Sequence, residues 1–238
     1  MIEAVTFDFW NTIVRVPSPV MREARRRAVV AACERCGVEV EAELLAAGLE
    51  EAALSWDQSW KSGQHLHPQE VAARFVRALE IKGPMGEIVV NAFLGAGLEV
   101  DLKLAPGIGT ALEALGERGI RAGIVCDVGF SGGMLLRELL AREGLLDHFH
   151  GWGFSDEVGC YKPAPQIFEA ALGGLGAEPE AVMHIGDLRR TDVIGAARLG
   201  MKTARYRGLS DDMDKSSGIE ADFVLDSHLE LLDLLERC

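Results

Sequence analysis

Short runs of apolar and β-branched residues recur along the chain at residues 4–9, 121–125, 182–185, 202–206 and 223–225. A further short run spans 151–154. Between them lie segments whose apolar residues return with helical period, at 111–115, 135–140, 167–172 and 193–199. Strands alternating with amphipathic helices predict a parallel sheet with crossover helices, a doubly wound α/β core. One stretch breaks this rhythm. From residue 17 to 102 every pattern is helical, with breaks at Gly37, around 63–68 and at 83–86. Pro17 and Pro19 open it, and Pro106-Gly107 follows its end. It reads as a small all-helical subdomain (17–102) inserted into a core made of 1–16 and 103–238. The other reading is a long helical excursion packed on the main core. The insertion is favoured because a continuous core would bring a second strand soon after the first.

The chain has 238 residues, 48% of them hydrophobic, enough for one sizeable core and a smaller attached unit. Its formal net charge of −13 argues against nucleic acid or anionic membrane as a partner. An anionic substrate would need local cations or a metal to reverse the field. No apolar run approaches the roughly 20 residues that span a bilayer. The first residues enter a strand pattern with no basic, signal-like segment before it. Five scattered cysteines, Cys33, Cys36, Cys126, Cys160 and Cys238, suit a reducing compartment. A cytoplasmic monomer or homodimer acting on a small molecule is expected. Cys33 and Cys36 form a C-x-x-C within a helical pattern, with no second pair to complete a metal site, and are read as helix packing.

Three apolar runs end in acids: Val5-Thr6-Phe7-Asp8, Gly123-Ile124-Val125-Cys126-Asp127 and His184-Ile185-Gly186-Asp187. Ligands of open parallel sheets bind beyond the carboxyl ends of the strands, so these acids should meet at one edge. Clustered carboxylates repel unless a cation joins them. A hard divalent ion, Mg2+ above all, would do so, and Lys162 could contribute. A single such Asp would be read as a turn or helix cap; three at one edge are read as a site.

These motifs carry a resemblance. Phe7-Asp8-Phe9-Trp10-Asn11-Thr12-Ile13 resembles the first motif of the haloacid dehalogenase (HAD) superfamily, D-x-D-x-T. Lys162-Pro163 resembles its third motif and Gly186-Asp187 through Asp192 its fourth, G-D-x-x-x-x-D. The helical insertion falls where this superfamily carries a C1-type cap. The resemblance implies a Rossmann-like HAD core and a hydrolase, with Asp8 as covalent nucleophile and Lys162 as the cation beside it. It implies Mg2+ held by Asp8, Asp187 and the backbone carbonyl of Trp10, with Asp192 supporting that site. Cys126, Asp127 and Lys162 would bind the substrate.

Two positions depart from the pattern. Trp10 replaces the second Asp, which in the family's phosphatases protonates the leaving group; indole cannot. Cys126 stands where Ser or Thr is usual, and a thiol is a weak donor. The backbone N–H of Asp127 remains for an oxyanion, and its carboxyl is read as a turn cap. Whether Asp127 or a cap histidine replaces the missing acid stays open. Three functions follow. A Mg2+-dependent phosphatase working through phospho-Asp8 is favoured, since Asp187 is retained. A 2-haloacid dehalogenase is the alternative, because those enzymes also carry an aromatic two residues after the nucleophile. A decayed binding protein is the third. In the insertion, Trp56 and Trp60 are read as packing. His65 and His67 are read as solvated or hydrogen-bonded. Arg22, Arg25, Arg26 and Arg27 read as a solvated face, with capture of a substrate anion as the other reading. His184 is read as a satisfied core histidine.

Overall fold

The computed structural model describes residues 1–236; Cys238 lies outside the described residues. Along the chain run β1 (Ala4–Phe7), β2 (Val14–Arg15), α1 (Ser18–Arg35), α2 (Ala42–Ser62), α3 (Pro68–Ala78) and α4 (Pro84–Gly95). Then come β3 (Lys103–Leu104), α5 (Ile108–Glu117), β4 (Arg121–Cys126), α6 (Gly133–Arg142), β5 (Phe149–Phe154), α7 (Ser155–Val158) and α8 (Pro165–Leu175). β6 (Val182–Gly186), α9 (Ile194–Arg198), β7 (Lys202–Tyr206), β8 (Phe223–Leu225) and α10 (Glu230–Leu235) complete the order. The chain forms two compact units. One comprises Met1–Arg15, Leu102–Asp127 and the chain from Leu140 onward; the other comprises Val16–Asp101 and Val128–Leu139.

The first unit is built on a parallel sheet in the order β5-β4-β1-β6-β7-β8. Every residue of β1 and β6 is buried. That explains why these strands read as continuous apolar runs rather than alternating ones: helices cover both faces. From β1 the chain winds to β4 and β5 on one side and to β6, β7 and β8 on the other. β1 is therefore the switch point, where a ligand crevice opens beyond the strand ends. α8 lies directly against β5. A Cβ on Gly153 would sit 1.9 Å from the Ile167 carbonyl oxygen, and one on Gly151 would sit 2.3 Å from that of Ala171. Only glycine permits this approach. Ile167, Phe168, Ala171 and Leu175 then pack with Val125, Val182 and Ala196.

The second unit is helical. α1 to α4 enclose a core that includes Val29, Ala32, Cys33, Leu49, Phe75, Val89 and Phe93. The helix breaks fall at glycines in left-handed backbone, Gly37 and Gly63 among them, as the breaks in periodicity imply. Cys33 and Cys36 are free thiols; Cys33 is in the core and Cys36 sits at the carboxyl cap of α1. Among the described residues no helix is long and apolar enough to cross a membrane.

Three features differ from the sequence reading. Val128–Leu139 belongs to the helical unit, although the sequence division gave 103–238 to the core. Its apolar period marks a helix but cannot show which core buries it. The antiparallel pair β2–β3 was not expected, because two-residue strands carry no period. The helix expected at 193–199 begins earlier, as a π-helical turn over Arg189–Val193 that leads into α9.

Candidate active site

The sheet brings the acids together as its topology requires. Asp8 follows β1, Asp127 follows β4 and Asp187 follows β6. The backbone N–H of Asp8 donates to the Ile185 carbonyl at 2.8 Å, tying the end of β1 to β6. Lys162 lies in the loop between α7 and α8 and is 3% exposed. Its ammonium donates to Asp8 Oδ1 (2.5 Å), Asp192 Oδ1 (2.6 Å) and the Val125 carbonyl (3.1 Å). Its three protons are thereby used, which fixes the head group between the two carboxylates. The Lys162 amide donates to Asp127 Oδ1 at 3.0 Å, so the Asp127 carboxylate anchors the lysine loop.

Asp192 stands on the π-helical turn, a form enriched at functional sites. Its carboxylate also accepts from the Leu188 amide (3.0 Å) and the Thr191 hydroxyl (3.1 Å). The His184 ring lies 3.1 Å away through Nε2. An ionised Asp192 makes that nitrogen the donor, leaving His184 Nδ1 to accept from the Thr6 hydroxyl at 2.9 Å. The turn closes so tightly that a Cβ on Gly186 would meet Asp192 Cγ at 2.3 Å. Glycine is therefore required before Asp187.

The charges do not balance. Asp8, Asp127, Asp187 and Asp192 face one lysine. Burial raises the Asp8 carboxyl to about 7; Lys162 opposes this, while Asp192 and Asp127 add to it. Burial pushes Asp187 well above the ordinary carboxylate range, with the Asp8 and Asp192 charges pushing the same way. Asp192 goes the other way. Burial would raise it too, but the Lys162 charge and the His184 bond outweigh that and hold it low. Lys162 is held well above its usual range, because the Asp192 and Asp8 charges overcome its burial. The ion pair Lys162–Asp192 is thus complete, whereas the raised Asp8 and Asp187 carboxyls favour taking up protons unless a further cation joins them.

Trp10 sits in the turn after Asp8, with its ring edge-on to Phe9 at 4.8 Å. The turn is closed by Val14 N–H to the Phe9 carbonyl and Asn11 N–H to the Val14 carbonyl. The Trp10 carbonyl takes no part in that pairing. Cys126 is fully buried, and burial holds its thiol protonated, well above the usual range; a backbone hydrogen bond from Phe9 opposes this.

Several residues were not assigned roles from sequence. Thr12 donates its hydroxyl to Asp8 Oδ2 at 3.3 Å, orienting the second oxygen. The Asn11 side chain hydrogen-bonds Asp187. His228 donates from Nε2 to the Thr12 carbonyl at 2.8 Å and stacks on Tyr206 at 4.2 Å, bracing the turn from 216 residues away. Only Thr12 carried a sequence signal, the last position of the first motif. His184 is satisfied, as expected, but through Asp192 of the site itself. In the helical unit His65 and His67 place their rings edge to face, 6.1 Å apart. Trp56 and Trp60 stack at 5.7 Å.

A doubly wound parallel sheet with a buried lysine bridging two carboxylates at its carboxyl edge defines an α/β enzyme core. The chain belongs to the haloacid dehalogenase-like hydrolase family, whose model matches residues 2–200, and it is a hydrolase. It is 31% identical over 250 residues to a glyceraldehyde 3-phosphate phosphatase of Methanopyrus kandleri, covering 100% of this chain and 98% of that one. It is 27% identical over 251 residues to a ribulose-1,5-bisphosphate 5-phosphatase of Halopiger xanaduensis, covering 99% and 100%. A solved 2-haloacid dehalogenase of Pseudomonas syringae superimposes with a TM-score of 0.71 over 100% of this chain and 99% of that one. Its identity is 23%, so that likeness is one of fold.

Proposed function

We propose that this hydrolase is a phosphatase of a small phosphorylated molecule, with Mg2+ as cofactor and a phosphoryl group carried on Asp8. The observation that carries the reading is the burial of Asp8 and Asp187 after neighbouring strands, where Asp8, Asp127, Asp187 and Asp192 share a single lysine. The donor set suits a hard cation: two carboxylates and the Trp10 carbonyl, all oxygen, with water completing the shell. Among the described residues no three His, Cys, Asp or Glu side chains form a ready cage. Mg2+, which keeps several waters, does not require one. Asp192, saturated by four donors, supports the site from behind. When bound, Mg2+ supplies the charge that keeps both carboxylates ionised and neutralises phosphoryl oxygens. The phosphatase names of the two relatives support the same substrate class.

Asp8, oriented by Lys162 on one oxygen and Thr12 on the other, attacks phosphorus. A new P–O bond forms to Asp8, and the ester P–O bond breaks with its electron pair on the leaving oxygen. Lys162 stabilises the charge that builds on nucleophile and phosphoryl group. The backbone N–H of Asp127, next to Cys126, is the oxyanion donor at the end of β4. Water then attacks the phosphorus of phospho-Asp8, releasing phosphate and restoring the carboxylate. With Trp10 in place of an acid, a leaving group that is stable as an anion departs most readily. The free cysteines among the described residues support a reducing, cytoplasmic location.

Trp10 also favours a second reading, displacement of halide by Asp8, which needs neither acid nor metal. A panel of phosphate esters and 2-haloacids, scored for both phosphate and halide, decides between them. Phosphate release that stops with chelator and returns with Mg2+ is expected. Halide release that is indifferent to chelator would overturn the phosphatase reading. Asp187→Ala should also lose the Mg2+-dependent rise in melting temperature of the wild-type protein.

A further inference from the structure

The arginines of α1 do not form one solvated face. Arg22, Arg26 and Arg27 are exposed, whereas Arg25 turns inward and is half-buried. Its guanidinium lies 4.8 Å from the Phe130 ring centroid and 5.7 Å from that of Phe93. Arg25 Nε is out of solvent and has no hydrogen-bond partner. Burial lowers its pKa to about 10. Stacking on aromatic rings engages only the faces of a guanidinium. Its Nε–H points out along the plane and stays unsatisfied. A desolvated cation with idle donors costs stability unless a ligand completes it.

Two further idle polar groups belong to residues packed against Phe130 or next to it in sequence. Trp56 packs edge-on to Phe130 at 6.3 Å, and its Nε1 is buried with no acceptor. Ser131, next in sequence, is 1% exposed with its hydroxyl unpartnered. Its Oγ lies 3.4 Å from where a Cβ on Gly97 would stand, so glycine there leaves room beside it. All these residues belong to the helical unit. Buried donors are almost always paired; three idle ones, two against the Phe130 ring and one on the next residue, are suited to acceptor oxygens. The guanidinium makes an anion the preferred occupant.

We propose that Arg25, Trp56 and Ser131 form an anion site within the helical unit, taking the carboxylate or phosphate of a small molecule beside Phe130. Its occupant is either a second anionic group of the substrate or a separate effector.

The Arg25 Nε–H and Trp56 Nε1–H are both visible by nitrogen-edited NMR, so the site reports on itself. In the full chain, titration with malonate, and separately with inorganic phosphate, should shift both signals along one binding curve. Whichever anion binds tighter identifies the group. Arg25→Met keeps the aliphatic stem and should weaken binding at least about tenfold, the usual loss for a charged hydrogen bond. Trp56→Phe keeps the packing and should also weaken it. The shifts should persist in Asp8→Asn, which separates this site from the phosphatase reading. Competition of malonate with p-nitrophenyl phosphate would assign the site to the substrate; a rate change without competition would assign it to an effector. Absent shifts with both anions, or an unchanged affinity in Trp56→Phe and Arg25→Met, would overturn the proposal.

Discussion

Replacing Lys162 by Met should destabilise the protein by an amount that grows as pH rises. In the wild type one ammonium meets Asp8 at 2.5 Å and Asp192 at 2.6 Å, with side-chain exposures of 3%, 7% and 2%. Removing one partner from a buried ion pair costs about 3–5 kcal/mol, because the remaining charge stays buried. Here two carboxylates are stranded, so the upper part of that range is expected at neutral pH in chelator. The sign of the pH dependence follows from Asp192. Its folded pKa is held below the ordinary value in the wild type. The pair's stability is therefore present above the unfolded pKa and lost as pH falls. Without Lys162, burial dominates and the folded pKa lies above the unfolded one. The variant is then least unstable in acid and loses stability as pH rises. Asp8, already raised to about 7 beside the lysine, moves the same way. Urea unfolding of both proteins at about pH 5 and about pH 7.5 measures this. The gap between them should widen with pH. A gap that is small at both pH values, or that narrows toward neutrality, would refute the electrostatic description of the site.

Two other outcomes are expected. Burial lowers His228 to about 4 from 6.5, so it contributes fully above pH 6.5 and its contribution falls away as pH drops toward 4. The loss is roughly 3 kcal/mol, and His228→Gln should flatten the acid limb of a stability profile. Trp10→Asp should reduce the dependence of single-turnover rate on leaving-group pKa; a steep dependence left unchanged would remove Trp10 as its cause.

The core was legible because parallel strands buried on both faces leave continuous apolar runs, and β1, β4 and β6 each lie on one. The acids at their ends were legible for the same reason: topology places every strand end at one edge. What could not be read arises from tertiary contact. His228 reaches Thr12 from the far end of the chain, and no local pattern marks it. Arg25 differs from Arg22, Arg26 and Arg27 in turning inward onto two aromatic rings. Asp127 shows what a strand-end acid can do that its sequence does not display: its carboxylate accepts from the Lys162 amide and ties down the lysine loop. The segment 128–139 followed the helical unit because its period marks a helix and leaves the core that buries it undecided.

In the proposed reaction Asp8 carries the phosphoryl group. Rapid acid quench of the Mg2+-loaded enzyme during turnover of a radiolabelled aryl phosphate, followed by peptide mapping, locates that group. Label on the peptide containing Asp8, absent from a folded Asp8→Asn variant that no longer turns over, is the expected result. An Asp8→Asn variant that keeps wild-type turnover, or label that maps elsewhere in the chain, would contradict it.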